Sequence, residues 1–516
     1  MPAADRSIVG QANTPVAHRG LLTIGVMLAT VMQVLDSTIA NVALPHMQAS
    51  LGATVDTITW VLTSYIVASA IAIPITGWLA DRVGARNLFL FSAIGFVGAS
   101  MLCGIATSLE EMVAFRVLQG IAGAFIGPLS QTVLLDINPP ERHGKAMSIW
   151  GMGVMIGPIT GPVLGGLLTE NYSWRWVFYV NLPIGILCVA LLWWLLPRRP
   201  PSRRSFDLFG FSMLALGLAA LQLLLDRGQG EDWLHSTEIL IEIGVAVAAL
   251  WVFGIHMATA KSPMFSRVLL TDRNLMTSLL FMIVIGVMMF ATMALLPTML
   301  QQLYGYPVID TGLLLAPRGI GVLISMALAG QLMGRVDSRW LIGFGMILAA
   351  VSLWWMTTWS LEMGWWPIVT SGFVQGLGMG FVFIPLNTLA FATLPPSART
   401  DGSSLLNLLR SVGASIGISV VSTFLARNLQ VSHADLSAHV TSYSIFSFDP
   451  QQATRFGEMG NQLFALIDAE ISRQALMIAY LDDFWLIMWL SMAAIPLVFL
   501  LKRAPLQAGS SPAVIE

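Results

Sequence analysis

Fourteen stretches of about 20 mostly apolar residues constrain this chain more than any single motif in it. A bilayer core of about 30 Å takes roughly 20 residues of helix, and a backbone inside it must satisfy its own hydrogen bonds. The stretches begin near residues 20, 58, 88, 112, 145, 175, 207, 238, 274, 309, 340, 366, 403 and 484. Each is expected to form a membrane-spanning helix solvated by the lipid bilayer. Composition agrees, because only 10% of the 516 residues are charged, against about 25% in soluble domains. A net charge of −2 and the absence of any basic run argue against nucleic acid as a partner. Cys103 and Cys188 lie inside apolar stretches, so neither a disulfide framework nor a metal site is expected. There is no phosphate-binding loop and no zinc-protease motif. Residues 1–18 lack the zones of a cleavable leader, so the first stretch is expected to stay as an anchor.

Lys and Arg are retained on the cytoplasmic side of membranes. Here they occupy alternate connections: Arg82 and Arg86; Arg142 and Lys145; Arg198, Arg199, Arg203 and Arg204; Lys261, Arg267 and Arg273; Arg335 and Arg339; Arg399; Lys502 and Arg503. The connections at 46–57, 107–111, 301–308 and 361–365 have none. Both termini are therefore expected in the cytoplasm. The chain also repeats itself. Gly77, Arg82 and Arg86 return as Gly330, Arg335 and Arg339 at an offset of 253. Gln119 with Gly120 returns as Gln375 with Gly376, and Pro139 with Pro140 as Pro395 with Pro396, both at 256. Two related halves rocking about a central site are a common carrier plan. The expected organisation is an all-α integral membrane protein. A cytoplasmic tail (1–18) precedes a six-helix bundle (19–197), then a linker with an inserted two-helix hairpin lacking a repeat partner (198–260). A second six-helix bundle (274–502) holds a long outer loop (430–482), and a tail follows (503–516). In that loop Phe456, Met459, Leu463, Ile467 and Ile471 recur at helical spacing, which predicts an amphipathic helix that caps the outer mouth or meets a partner.

Three features carry chemistry. The first is GWLADRVGAR, residues 77–86, which sets Gly77, Asp81, Arg82, Gly84 and Arg86 in and beside a tight turn. Asp81 is expected to act as a latch that accepts hydrogen bonds from basic groups or a helix N-terminus, an ordinary charged turn being the alternative. In the second half Gly334 replaces the acid, so the latch is expected on one side only. The second is GPITGPVLGG, residues 157–166, where Pro158 and Pro162 sit among Gly157, Gly161, Gly165 and Gly166. Proline removes helix hydrogen bonds and glycine lets backbones approach, so the segment is either a functional bend or plain close packing.

The third is intramembrane charge, which costs at least about 2.5 kcal/mol at the bilayer centre and marks a partner or a pathway. Asp36, Arg116, Arg318 and Arg410 are the clear cases. At 1.5 Å per residue, Asp36 lies about 13 Å inside Pro45 and Arg116 about 8 Å inside Glu111, so the two are expected to share the outer half of the cavity. A carboxylate paired with arginine in one state and separated in another is what a proton carrier requires. Asp36 is therefore expected to carry the proton and Arg116 to tune it, with a permanent structural pair as the alternative. Arg318, after Pro317, either attracts an anionic substrate or serves a structural hydrogen bond, and Arg410, closer to the cytoplasmic end, is expected to snorkel. Gln33, Asn41, Tyr65, Gln119, Arg318, Gln375 and Asn387 are the candidate polar lining of a substrate cavity, whose apolar wall the 28 Met and 25 Phe residues would suit. Glu238 and Glu242 read as interfacial, and GASIG at 413–417 reads as helix packing rather than a nucleophile elbow.

LDSTIANVALP at 35–45, the run from Thr59 to Arg86, FRVLQG at 115–120 and LQLLLDRGQGEDW at 221–233 resemble the fourteen-helix drug:proton antiporters of the major facilitator superfamily, and among them the EmrB-type multidrug export permeases. The turn at 77–86 is similar to that superfamily's signature loop, and residues 157–166 to its antiporter motif. The resemblance covers nearly the whole chain. It implies a major facilitator fold and a secondary active transporter rather than an enzyme, with no cofactor and the proton gradient as the driving force. Small hydrophobic toxic compounds would be exported across a Gram-negative inner membrane, with a periplasmic adaptor of the EmrA type and an outer-membrane channel as partners. It also implies proton coupling at Asp36 and Arg116, the loop acid at Asp81, and the helix-five Gly-Pro pair at Gly161 and Pro162. A narrow exporter of one metabolite or fatty acid, and a transport-inactive scaffold or sensor, are the alternatives.

Overall fold

The computed structural model describes residues 16, 18–198, 205–440 and 461–502. Fourteen helices in them are long and apolar enough to cross a membrane. They are α1 (Arg19–Leu51), α2 (Trp60–Val83), α3 (Ala85–Ile105), α4 (Leu109–Ile137), α5 (Pro140–Asn171), α6 (Trp176–Leu195), α7 (Leu208–Arg227), α8 (Thr237–Thr259), α9 (Arg273–Gln302), α10 (Val308–Leu332), α11 (Ser338–Met356), α12 (Trp365–Ala392), α13 (Pro396–His439) and α14 (Ala465–Leu500). Prolines are tolerated inside many of them, with a 3₁₀ turn in α2 at Pro74 and another closing α14. Three of the helices entering from the basic-loop side are capped by acids. Asp207 accepts from Gly210 N, Asp272 from Leu275 N and Asp337 from Arg339 N, which satisfies donors that a helix start leaves open. Large apolar side chains such as Trp194, Trp251 and Trp340 face outward, as lipid solvation requires.

Helices α1–α6 pack as one bundle and α9–α14 as another, while α7 and α8 pack on each other. The hairpin touches both bundles, since α7 lies on α2 and on α13. Across the middle, α5 packs on α10 and on α12, and the second part of α4 packs on α13. The expected two bundles plus hairpin are therefore present.

The last helix differs from expectation. It was expected from about residue 484, but the helix already runs from Asn461, its span α14 being counted from Ala465. Asp482 and Asp483 break the apolar run and mimic a helix entry, although Asp483 is fully buried. Helix α13 likewise continues to His439, so the described ends of the 430–482 loop are helical, with Leu463, Ile467 and Ile471 in the second. Asn428 and His433 tie the two helical extensions together through Asp482 at 3.1 Å and Asp468 at 3.0 Å. Phe456, Met459, Arg199, Arg203, Arg204, Arg503 and nearly all of both tails lie outside the described residues.

Candidate functional site

Asp36 sits in the further half of α1 and is 1% exposed. Its carboxylate receives three donors. Arg116 Nη1 lies 2.7 Å from Oδ2, and Gln119 Nε2 and Asn181 Nδ2 lie 2.8 and 2.7 Å from Oδ1. Arg116 and Gln119 are three residues apart on α4 and so share a face, whereas Asn181 comes from α6. The rest of the Arg116 guanidinium is also engaged. Nε donates to the Val61 carbonyl at 3.0 Å, Nη1 also reaches Gln119 Oε1 at 2.8 Å, and the Tyr65 ring lies 4.4 Å away. A buried ion pair persists only where its remaining donors and acceptors are met, and here they largely are.

The pair is thus direct, but it is enclosed by α1, α2, α4 and α6 of one bundle rather than lining the space between bundles. Helix counting places both residues at one depth and leaves their facing open. On α1, Thr38 follows Asp36 by about 200° of helical rotation, and it is Thr38, Asn41 and Val42 that look toward the other half.

Between the halves lies a cavity of about 460 Å³. Met155, Met289, Met293, Met326 and Met379 give it a deformable apolar wall, and it reaches Gln301 and Val308, exposed at the ends of α9 and α10. The segment at 157–166 divides between two tasks. Gly157, Gly161 and Gly165 form a stripe against α1, where an added Cβ would meet Val34, Thr38 and Val42. Pro158 and Pro162 face the cavity instead. Gly166 has open space around it.

Arg318 lines the cavity and donates to Thr292 Oγ1 at 2.5 Å and the Met289 carbonyl at 3.4 Å. Among the described residues no carboxylate forms an ion pair with it. The repeat explains the position. Arg318 stands where Tyr65 stands in the first half, at the offset of 253, and Gly372 stands where Arg116 does, at 256. The arginine has moved across the helix pair, and its first-half acid has no counterpart in reach. Of the other polar side chains read as cavity lining, Asn41 is there. Tyr65 and Gln119 belong to the ion-pair cluster, with Gln33 hydrogen-bonded to Tyr65. Gln375 and Asn387 are buried away from it at 1% exposure each.

On the basic-loop side the halves are joined. Gln131 Nε2 donates to Asn387 Oδ1 at 3.2 Å, and Gln131 Oε1 accepts from Asn407 at 3.1 Å and from Ser403. Gln131 and Asn387 are 256 residues apart, the repeat offset, so equivalent residues meet on the axis relating the halves. Nearer the surface Arg399 pairs with Asp136 at 3.1 Å, and Ser148 Oγ donates to the Met326 carbonyl at 2.7 Å. Gly77 lets α13 approach α2, because the Asp401 carboxylate occupies the place of a side chain there. Gly84, at φ 91°, turns α2 into α3 in a conformation that favours glycine. Asp81 faces the groove between the halves beside Asp136, Pro396 and Thr400. Arg82 is exposed, and Arg86 is held within its own half by the carbonyl and ring of Trp193. Gly334, in the acid's place, has φ 93°. The second half makes its turn at that position, so backbone geometry accounts for the missing carboxylate.

Sequence reasoning passed over Gln131, Asp136, Asn181 and Asp401. Gln131 and Asn181 carry a usable signal as polar residues within apolar stretches. Asp136 and Asp401 stand near helix ends, where a charge looks like a solvated turn.

Residues 26–418 match the family described as Major Facilitator Superfamily. Over 476 residues the chain is 39% identical to Multidrug export protein EmrB of Haemophilus influenzae, covering 90% of this chain and 92% of that one. It is 36% identical over 498 residues to Fatty acid resistance protein FarB of Neisseria gonorrhoeae, covering 95% and 97%. The crystal structure of the human organic anion transporter MFSD10 resembles it with a TM-score of 0.58 and 13% identity over 92% of this chain and 99% of that one, a likeness of fold.

Proposed function

The chain belongs to the major facilitator superfamily and, within it, to the EmrB-type multidrug export permeases, and we propose that it exports varied hydrophobic compounds across a bacterial inner membrane in exchange for protons. The observation that carries the reading is the 460 Å³ cavity, shared by both halves, walled by methionine and closed on the basic-loop side. With the basic loops and both termini in the cytoplasm, this arrangement is the outward-facing state, ready to release substrate.

Helix α1 connects the two chemistries. One of its faces holds Asp36 against Arg116, and the other contributes Thr38, Asn41 and Val42 to the cavity wall. A proton arriving from outside neutralises Asp36 and weakens its hold on Arg116, Gln119 and Asn181. The turn of α1 so released bears on the α5 glycine stripe, whose prolines also line the cavity. Proton and substrate thereby disfavour each other, which is the requirement for exchange. Opening toward the cytoplasm breaks the Arg399–Asp136 pair and the contacts around Asp81 and Asp401. A periplasmic adaptor and an outer-membrane channel would complete the route, and the helical extensions of α13 and α14 offer a place for the adaptor to dock.

The test uses purified protein in liposomes with a preset pH gradient. Substrate-triggered dissipation by wild type and none by Asp36→Asn is the expected result; equal dissipation by both overturns the assignment of Asp36, and none by either overturns antiport. Arg318 without a carboxylate, together with the name of FarB, favours a second reading as a narrow exporter of acidic amphiphiles. Resistance to unrelated neutral and cationic compounds would exclude it.

A further inference from the structure

A second acid, exposed at the outer end of the inserted hairpin, has no role in the account above. Asp226 is the one acid of α7, within a turn of its outer end. Where α7 meets α2 of one half and α13 of the other, there is an indentation of about 130 Å³ whose polar lining is Thr63, Gln222, Asp226, Ser415, Ser419 and Ser422, with Gln229 at its edge. That volume has room for several waters. Two of the lining groups call for an occupant. Gln222 and Ser419 are 2% and 6% exposed, and Gln222 Nε2 and Ser419 Oγ have no hydrogen-bond partner among the described residues. Buried polar atoms are rarely left so unless water or a ligand meets them.

The position of Asp226 links it to the ion pair. Thr63 of α2 donates its hydroxyl to Asp226. Two residues to either side, the Val61 carbonyl accepts from Arg116 and the Tyr65 ring lies against its guanidinium. Val61 and Tyr65, four apart, share one helix face, and Thr63 points from the opposite one. One turn of α2 therefore grips the Asp36–Arg116 pair on one side and Asp226 on the other. The hairpin, which has no repeat partner, delivers this carboxylate to a point touched by all three structural units.

We propose that Asp226 and its pocket form a second proton-binding site, filled by water from the outer side and coupled to Asp36–Arg116 through the Val61–Tyr65 turn. The step transfers a proton from hydronium in the pocket to the Asp226 carboxylate, leaving water and a carboxylic acid. The charged group beside it is Arg227, next in the chain, which pairs with Glu231 and Glu238 and is within reach of Glu242 on α8. Neither α2 nor α13 brings a charge to the pocket. The proposal rests on the proton-driven reading.

Two measurements test it separately from that reading. Infrared pH-difference spectra of the purified protein in lipid nanodiscs are recorded for wild type, Asp226→Asn and Asp36→Asn, in choline chloride and in sodium chloride. The expected result is a protonated-carboxyl band that Asp226→Asn removes and whose pH midpoint shifts in Asp36→Asn. A midpoint indifferent to Asp36→Asn overturns the coupling, and a midpoint that moves with sodium makes this a sodium site instead. In liposomes, the protons moved per substrate should fall by one in Asp226→Asn, and an unchanged ratio overturns the proposal. Should Asp226→Asn fail to fold, Asp226→Glu must retain a band at a changed midpoint. If wild type moves no protons with substrate, the exporter reading fails while the infrared result still judges Asp226.

Discussion

Removing Asp36 alone is expected to damage the protein as much as removing Asp36 and Arg116 together. Asp36→Ala takes the acceptor from three donors at 2.7, 2.8 and 2.7 Å and leaves Arg116, at 0% exposure, without a counter-charge. Hydrogen bonds to a charged group contribute about 1.5–3 kcal/mol each, and partners found in the unfolded membrane state reduce that sum. Breaking a buried pair from one side costs about 3–5 kcal/mol, so we set the single substitution near ~4 kcal/mol. Arg116→Met leaves Asp36 with Gln119 and Asn181 as donors and should cost about 3 kcal/mol. The double variant holds no buried charge and loses only neutral hydrogen bonds, at about 3–4 kcal/mol in all. The coupling is then roughly 3 kcal/mol, at the upper end of measured cycles. Unfolding in mixed micelles with rising dodecyl sulfate, followed by tryptophan fluorescence, measures all four corners. Additivity within about 0.5 kcal/mol would mean that the two residues do not act as a unit, and the coupling mechanism built on them would fall with it.

Other expectations follow from single contacts. Gly161→Val drives a branched side chain into Thr38, so α5 should separate from α1 at a cost of about 1–3 kcal/mol, read in the same unfolding assay. Gly84→Ala should cost about 1–3 kcal/mol, because φ is 91° there. Arg399→Gln removes the buried pair with Asp136 and should shift the population toward the state open on the basic-loop side by up to about 3 kcal/mol; spin labels at Arg82 and Arg335 would move apart, and unchanged distances refute the closure role. Arg318→Ala should weaken binding of a carboxylate-bearing ligand by roughly 10- to 100-fold, and barely affect a neutral ligand of equal size, as measured by fluorescence titration.

Much of this architecture is legible in the sequence because lipid imposes a one-dimensional rule. Length and hydropathy place thirteen helix starts within seven residues. The fourteenth fails because Asp483 is buried inside a helix, and no count of apolar residues distinguishes that from an entry point. Depth is legible as well, since 1.5 Å per residue brings Asp36 and Arg116 to one level. Facing is not, because it depends on which neighbour each turn meets. Thus Asp36 points into its own bundle while Thr38 reaches the cavity. The same limit hid Asp136, whose partner Arg399 is 263 residues away. Turn geometry escaped too, although the exchange of Asp81 for Gly334 left its trace in the sequence.

Helix α13 is 44 residues long, about 66 Å at 1.5 Å per residue, or more than twice a hydrocarbon core of about 30 Å. Starting from the basic-loop surface, its far tip stands about 50 Å from the bilayer midplane, roughly three times as far as the opposite surface. The helix is braced to α14 by Asn428 and His433, which gives it the build of a stiff lever. A tilt that shifts the membrane surface of this bundle by one ångström sweeps the tip through about three. A fluorophore at Asp435 would therefore report any tilt of this bundle as an amplified displacement.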